Sequence, residues 1–206
     1  MARTQQERRE ETIARLLDAS IETIIEVGYA KASAKVITQR AQVSDGALFR
    51  HFPTMGDFMA ATALEVSRRQ LDEIATRLAA LPADADLDAF LTIIRDLAAN
   101  ETNTVVHELM VAARTDEMLR APLKDVLAVY VAKILEAARS AFSAEELDEF
   151  GEENFTTLVA VLINSFDGAA IAGQVLKHPE IEERRIPLLM WLLNVARPKG
   201  FEPPTF

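Results

Sequence analysis

Only three residues, Gln42-Val43-Ser44, separate two short helical patterns, too little chain for anything but a sharp reversal. Val36, Ile37 and Ala41 form an apolar stripe on the first pattern, and Val43, Leu48 and Phe52 form one on the second. Two short helices forced to cross steeply make a helix-turn-helix over Ser33 to Phe52. Ser44 is placed to cap the second helix, its hydroxyl accepting from free amides of the first turn. Asp45 sets negative charge where the helix dipole favours it.

The rest of the chain reads as helical support for that motif. Ile13, Leu16, Leu17, Ile21, Ile24 and Ile25 recur at spacings of three and four, which predicts an amphipathic helix over about 7–27, ended by Gly28. Tyr29 then folds back onto the apolar stripe. Pro53-Thr54 breaks the second motif helix, and a long helix is predicted from Gly56 to Leu81. Beyond a loop at Pro82 to Asp86, further helices are predicted over Leu87–Asn100, around Val105–Ala113, and over Leu119–Phe142, the last entered near Pro122, a residue suited to a first turn. Ser143-Ala-Glu-Glu146 fits a capping box for a short helix ending near Gly151. No alternating strand pattern occurs, so the fold class is all-α, about nine helices, with a head over 1–54 and a larger body over 55–206.

The last two helices, over 153–177 and 182–196, are apolar around most of their circumference. Phe155, Val159, Leu162 and Phe166 mark one face of the first. Leu158, Val161, Ser165, Ala169 and Ala172 mark another, and Leu188, Leu189, Trp191 and Leu192 repeat the excess on the second helix. A chain this small has too little else to cover both faces. A self-complementary interface with a second copy is therefore expected, against the plainer reading of a last helix lying wholly in a monomer's core.

Composition sets the limits on partners. There is no cysteine, hence no disulfide or thiolate metal site, and the polar N-terminus is unlike a signal peptide. No uninterrupted apolar run reaches the ~20 residues of a membrane span. No membrane association and a cytoplasmic location are expected. The net charge of −10 opposes indiscriminate nucleic-acid binding. The charge is uneven, however: residues 1–52 hold eight Lys/Arg against seven Asp/Glu, and the remainder fourteen against twenty-five. Arg3, Arg8, Arg9, Lys31, Lys35, Arg40 and Arg50 leave room for a local basic surface on the head.

A helix ending in Gly28-Tyr29, then SAKVITQRAQVSDGALFRHF, a long helix and an all-α body resemble the tetracycline-repressor (TetR) family of transcriptional regulators, with the sequence match confined to roughly residues 10–60. Three positions depart from the family pattern. Gln42 stands for the turn glycine, Phe49 for a tyrosine and Met55 for a lysine, the last two being residues that usually contact phosphate. The resemblance implies a homodimer whose second motif helices enter successive major grooves of a near-palindromic double-stranded operator, with half-sites about 34–36 Å apart or somewhat further. It also implies a small-molecule effector in each body, whose binding tilts the helix from Gly56 and weakens operator binding.

Under this resemblance Ser33 and Lys35 reach phosphate or base edges, and Ser44, Asp45, Gly46, Ala47, Phe49, Arg50 and His51 form the reading helix. Asp45 suits a cytosine amino group, Gly46 close backbone approach and Ala47 a thymine methyl. Plainer readings stand beside these: Ser33 as an N-cap only, Lys35 as a solvated charge, Asp45 as helix-dipole stabilisation and His51 as a helix-end cap. An apolar cavity with a few orienting groups draws candidates from the body helices: Met59, Phe90, Ile94, His107, Met110, Arg114, Tyr130, Phe155, Leu162, Phe166 and Asp167, each of which also fits as ordinary core. Glu108 reads as a solvated surface charge. Together these favour a largely hydrophobic effector. Three histidines without metal-ligand spacing, and no phosphate loop or nucleophile elbow, speak against an enzyme, a metal or a cofactor. A second reading remains: a dimeric helical ligand-binding or interaction protein whose head has lost DNA binding.

Overall fold

The computed structural model describes residues 4–82, 87–140, 142, 147–148 and 151–195. Among them are nine α-helices, one 3-10 turn and no strand, the all-α architecture that the sequence predicts. The Ser143 capping box lies outside the described residues.

Helix α1 spans Gln5–Val27. It begins two residues before the apolar stripe suggests, because Thr4 and Glu7 form a capping box: the Thr4 hydroxyl accepts the Glu7 amide at 3.2 Å and the Glu7 carboxylate accepts the Thr4 amide at 2.7 Å. Gly28 ends α1 at φ 82°, a backbone shape that favours glycine. A short 3-10 turn, Tyr29–Lys31, leads to α2 (Ala34–Ala41) and α3 (Asp45–His51). Helix α4 (Met55–Ala79) is started by Thr54, whose hydroxyl accepts the Asp57 amide at 3.0 Å while Asp57 accepts the Thr54 amide at 3.1 Å. Helices α5 (Leu87–Ala98), α6 (Glu101–Ala113), α7 (Glu117–Arg139), α8 (Glu152–Gly173) and α9 (Pro179–Val195) complete the chain.

Two compact units result. The first holds residues 4–73 and 100–134, and the second holds 74–99 and the described residues from 135 onward. Leu16 and Ile24 of α1, Ile37 of α2, Leu48 of α3, Phe58 of α4, Val105 and Leu109 of α6 and Leu119 of α7 are fully buried in one core cluster of the first unit. The three helices of the motif thus share a core with α6 and α7, so α1 is only part of the cover over α2 and α3. Glu108 of α6 is not the solvated charge that its sequence position suggests: its carboxylate packs against Gly28 and accepts the Tyr29 amide.

Helix α7 starts at Glu117, with the Asp116 carboxylate accepting the Leu119 amide at 3.2 Å, so Pro122 lies inside the helix and not in its first turn. Proline has no N–H, which leaves the Met118 carbonyl without its usual donor four residues on. Arg120 draws in the end of α6, donating to the carbonyls of Ala113 at 2.9 Å and Arg114 at 2.6 Å.

In the second unit α5 packs on both α8 and α9, burying Phe90, Leu91, Ile93 and Leu97 together with Phe155, Val159, Leu162, Phe166, Ile186 and Leu193. Arg185 of α9 donates to the Ser165 hydroxyl of α8 at 3.2 Å. The sequence has no uninterrupted apolar run of membrane-span length, yet one helix passes the looser test of length and composition. Helix α8, 22 residues long and with a mean hydropathy of 1.6 over its most apolar 18 residues, is long and apolar enough to cross a membrane by length and composition. Asn164, Ser165 and Asp167 interrupt its apolar run without preventing this. What ties it to the protein interior is its Phe155, Val159, Leu162 and Phe166 face, buried in the second unit.

Candidate functional site

The turn between α2 and α3 is held at both ends. Ser33 caps α2 by accepting the Val36 amide at 3.4 Å, and Ser44 caps α3 by accepting the Ala47 amide at 3.3 Å. Gln42 adopts the left-handed conformation, φ 54° and ψ 43°, that the reversal demands, and the Val43 amide returns to the Thr38 carbonyl at 3.0 Å. The carbonyls of Ala41 and Gln42, pointing away at this turn, both accept from Arg15 of α1. Across the turn the Thr38 hydroxyl donates to Asp45, which fixes the two helices against each other. Inside, Ile37 and Leu48 are fully buried, and Phe52 stacks obliquely on Phe58 at 4.9 Å between centroids.

These anchors leave the outer residues in solvent. Ser33, Lys35, Ser44, Asp45, Gly46, Phe49 and Arg50 are exposed, while Ala47 and His51 are half-buried. A Cβ added to Gly46 would meet nothing within 4 Å, so nothing inside the protein requires glycine there. Arg40 does not join this surface, because Glu22 and Glu26 of α1 hold its guanidinium. Lys35 and Arg50 make no ion pair among the described residues. The neighbouring cations Arg9 and Arg50 act with partial burial, the larger cause, to hold the His51 imidazole below its ordinary pKa. Arg15 gives no signal in the sequence, since nothing in its helical spacing marks it as the brace of a turn 26 residues later.

The other candidates fall into separate places. In the first unit Met59 is fully buried beside the Ser20 hydroxyl, at 3.9 Å from it. His107 belongs to a buried polar chain: Gln70 donates to the Asn103 carbonyl oxygen at 3.1 Å, and the Asn103 amide meets the His107 ring at 3.2 Å. Gln70, a member of that chain, and Ser67, one turn before it on α4, are both buried and carry no mark in the sequence that singles them out. Met110 is 40% exposed and lines an open apolar groove of about 480 Å³ with Leu123, Leu127 and Val131, from which Arg114 is absent and Tyr130, half-buried, is absent too. In the second unit Phe90, Phe155, Leu162 and Phe166 are buried, with Ile94 and Asp167 half-buried. Phe155 meets the Phe142 ring edge-on at 5.4 Å and lies under the Arg139 guanidinium at 5.4 Å.

On α8 and α9, Val161 is 56% exposed, Leu188 54%, Trp191 58% and Leu192 47%. Leu158, Ser165, Ala169 and Leu189 are half-buried. Singly exposed apolar residues are ordinary, but so many large ones on two helices of one unit are not.

Two capped helices crossing at a three-residue turn over a shared core, with a polar and basic outer face, define a helix-turn-helix protein of the DNA-binding class. The chain belongs to the TetR family of bacterial regulatory proteins and is a transcriptional regulator: residues 16–62 match that family's sequence profile, described as "Bacterial regulatory proteins, tetR family". An uncharacterized HTH-type transcriptional regulator of Mycobacterium tuberculosis (strain ATCC 25618 / H37Rv) is 63% identical over 197 residues, covering 95% of this chain and all of the relative. Among solved structures, a TetR-family transcriptional regulator from Rhodococcus superposes with a TM-score of 0.65 at 19% identity, over 90% of this chain and 98% of that one. The multidrug binding protein EbrR complexed with ethidium does so with a TM-score of 0.65 at 22% identity, over 88% and 98%.

Proposed function

We propose that this regulator is a ligand-responsive repressor that binds a near-palindromic operator as a homodimer and is released by a largely hydrophobic small molecule. The observation that carries DNA reading is the outer face of α2 and α3: Gly46 of α3 is open to close approach, and Lys35 of α2 and Arg50 of α3 stand exposed without an internal counter-charge. Division of labour at residue 54, head for DNA and body for effector and dimerisation, belongs to the same reading. Ser33, Lys35, Ser44, Asp45, Gly46, Ala47, Phe49, Arg50 and His51 form the DNA face. The exposed apolar residues of α8 and α9 supply the dimer contact, because covering them is worth about 25 cal/mol per Å².

The effector reading draws support from the apolar candidates of both units, and from EbrR, a protein of the same fold with a bound aromatic cation, ethidium. Within the first unit the groove beside Met110 suits an apolar molecule, with Arg120 and Lys124 as its polar lining. Selection of bound sequences from random duplexes by the full chain tests the proposal. A palindromic consensus, retained in a salt-dependent way, is expected. If the folded protein enriches no sequence, the repressor reading fails and the ligand-binding protein without DNA affinity takes its place.

A further inference from the structure

The arginines of the first unit divide into two sets. Arg15 is spent on the carbonyls of Ala41 and Gln42, Arg40 on Glu22 and Glu26, Arg68 and Arg69 on Glu65 with Asp72 and Asp18, and Arg120 on Glu117 and the end of α6. Arg8, Arg9, Arg50 and Arg114 make no side-chain hydrogen bond or ion pair among the described residues. The carboxylates nearest in sequence are engaged elsewhere: Glu7 caps α1, and Glu10 accepts the Gln6 amide at 3.0 Å.

Three of these four guanidinium groups are also gathered in space. Arg8 and Arg9 from the start of α1, and Arg50 and His51 from the end of α3, line one open groove of about 1080 Å³, with Gln5 and Gln6 as further donors and Glu10 as its acidic member. Three cations against a single carboxylate leave the concavity with an excess positive charge that an entering anion would offset. The groove continues from Arg50 on the exposed face of α3, so an anion bound there would lie alongside whatever α3 reads.

We infer that Arg8 and Arg9 of α1 grip a backbone phosphate of the operator together with Arg50 and His51, so that the DNA interface extends from α2 and α3 onto the first turns of α1. This inference rests on the repressor reading above. It supplies cationic contacts in place of those that Phe49 and Met55 lack, and it is independent of base sequence, since phosphate carries none.

The test uses full-length protein and a duplex selected by the wild type. Removing one phosphate-binding cation makes the log–log salt slope less negative by about 0.9, so Arg8→Ala/Arg9→Ala should shift it by about 1.8. Between 50 and 200 mM salt the wild type should then lose roughly tenfold more affinity than the variant. The drop should be similar on the selected duplex and on an unrelated one. Arg8→Lys/Arg9→Lys should keep most of the slope. Both side chains are exposed, so folding should be intact by circular dichroism, and Arg9→Glu gives a second, stronger reading of the same contact. Wild-type affinity and slope in the folded alanine and Arg9→Glu variants would overturn the inference while leaving the repressor reading in place. Failure of the wild type to bind any duplex would instead overturn the repressor reading, and this inference with it.

Discussion

The Cα of Gly56, in the first turn of α4, faces the carbonyl of Met118, in the first turn of α7, so closely that a Cβ on Gly56 would overlap that oxygen. Pro122 is the reason the carbonyl is available: it lacks the amide that would otherwise donate to Met118 from within α7. The proline in one helix and the glycine in the other thus make a single packing arrangement. Because the obstruction is backbone, no rotamer change relieves it. Gly56→Ala is expected to destabilise the protein by about 1–3 kcal/mol, the range of core overpacking. Urea denaturation followed by circular dichroism would measure it, and an unchanged midpoint would refute the close approach.

Gln42 occupies a left-handed position at φ 54° that costs an ordinary residue roughly 1 kcal/mol. Only its main chain is used there: its amide returns to the Gln39 and Thr38 carbonyls and its carbonyl accepts from Arg15, all of which glycine retains. Gln42→Gly should therefore raise the melting temperature slightly, by about 1–2 °C once glycine's greater freedom in the unfolded chain is subtracted. A lower melting temperature would mean that the Gln42 side chain contributes something its contacts do not reveal.

How far the sequence is legible follows from these residues. The helices and the motif can be read because apolar spacing repeats locally and Ser33, Ser44 and Gly28 are local signals. The Thr4–Glu7 capping box is equally local, but it lies ahead of the apolar stripe that suggests where α1 begins. The entry of α7 is misplaced by the sequence because Pro122 lies in the helix interior, where the Met118 carbonyl that it leaves without an amide packs against Gly56, a residue far off in the chain that no local rule foresees. Glu108 and Arg15 belong to the same kind: each bonds main chain far off in sequence, Tyr29 and the α2–α3 turn, and looks like a surface charge until the fold is known. The outer face of the motif is the most legible part of the site, and the effector candidates the least, since buried apolar residues look alike whether they line a cavity or fill a core.

Gly46 separates stability from function. Its surroundings are empty, so alanine fits, and replacing glycine in a helix by alanine should stabilise the protein by up to about 1 kcal/mol. If α3 approaches DNA by its backbone at this point, the same methyl group holds the surfaces apart. Gly46→Ala should then fold more stably yet bind the operator roughly tenfold more weakly, about 1.4 kcal/mol. Equal or better binding by the stabilised variant would remove Gly46 from the interface.

Trp191 and Leu188 are more than half exposed on α9, and a charge there should do little to an isolated chain. At the centre of a dimer contact it would be buried without a partner, which costs several kcal/mol. Leu188→Glu or Trp191→Glu is therefore expected to convert a dimer into monomers at micromolar concentration, with helicity kept. Light scattering that still reports a dimer for both variants would rule out α9 as the contact.

His51 gives a pH dependence whose sign can be worked out. In the free protein its pKa lies below 6.5, chiefly through partial burial and then through Arg9 and Arg50, so near neutral pH the ring is uncharged. Glu10, the acidic member of the groove, does not reverse this direction. A phosphate placed beside the ring would favour the imidazolium and raise the pKa in the complex. DNA binding then takes up a proton: affinity is unaffected by His51 at pH values above the complex's pKa, rises as pH falls below it, and levels off below the pKa of the free protein. Folding responds with the opposite sign. The unfolded chain, with an ordinary histidine, binds the proton more readily than the native state, so acidification below about 6.5 weakens folding through this residue while it strengthens operator binding. His51→Gln should abolish both slopes, and operator titrations between pH 5.5 and 8 at constant salt would read the first of them. A wild type whose affinity is flat across that range, or whose slope survives in His51→Gln, would exclude a phosphate at this ring.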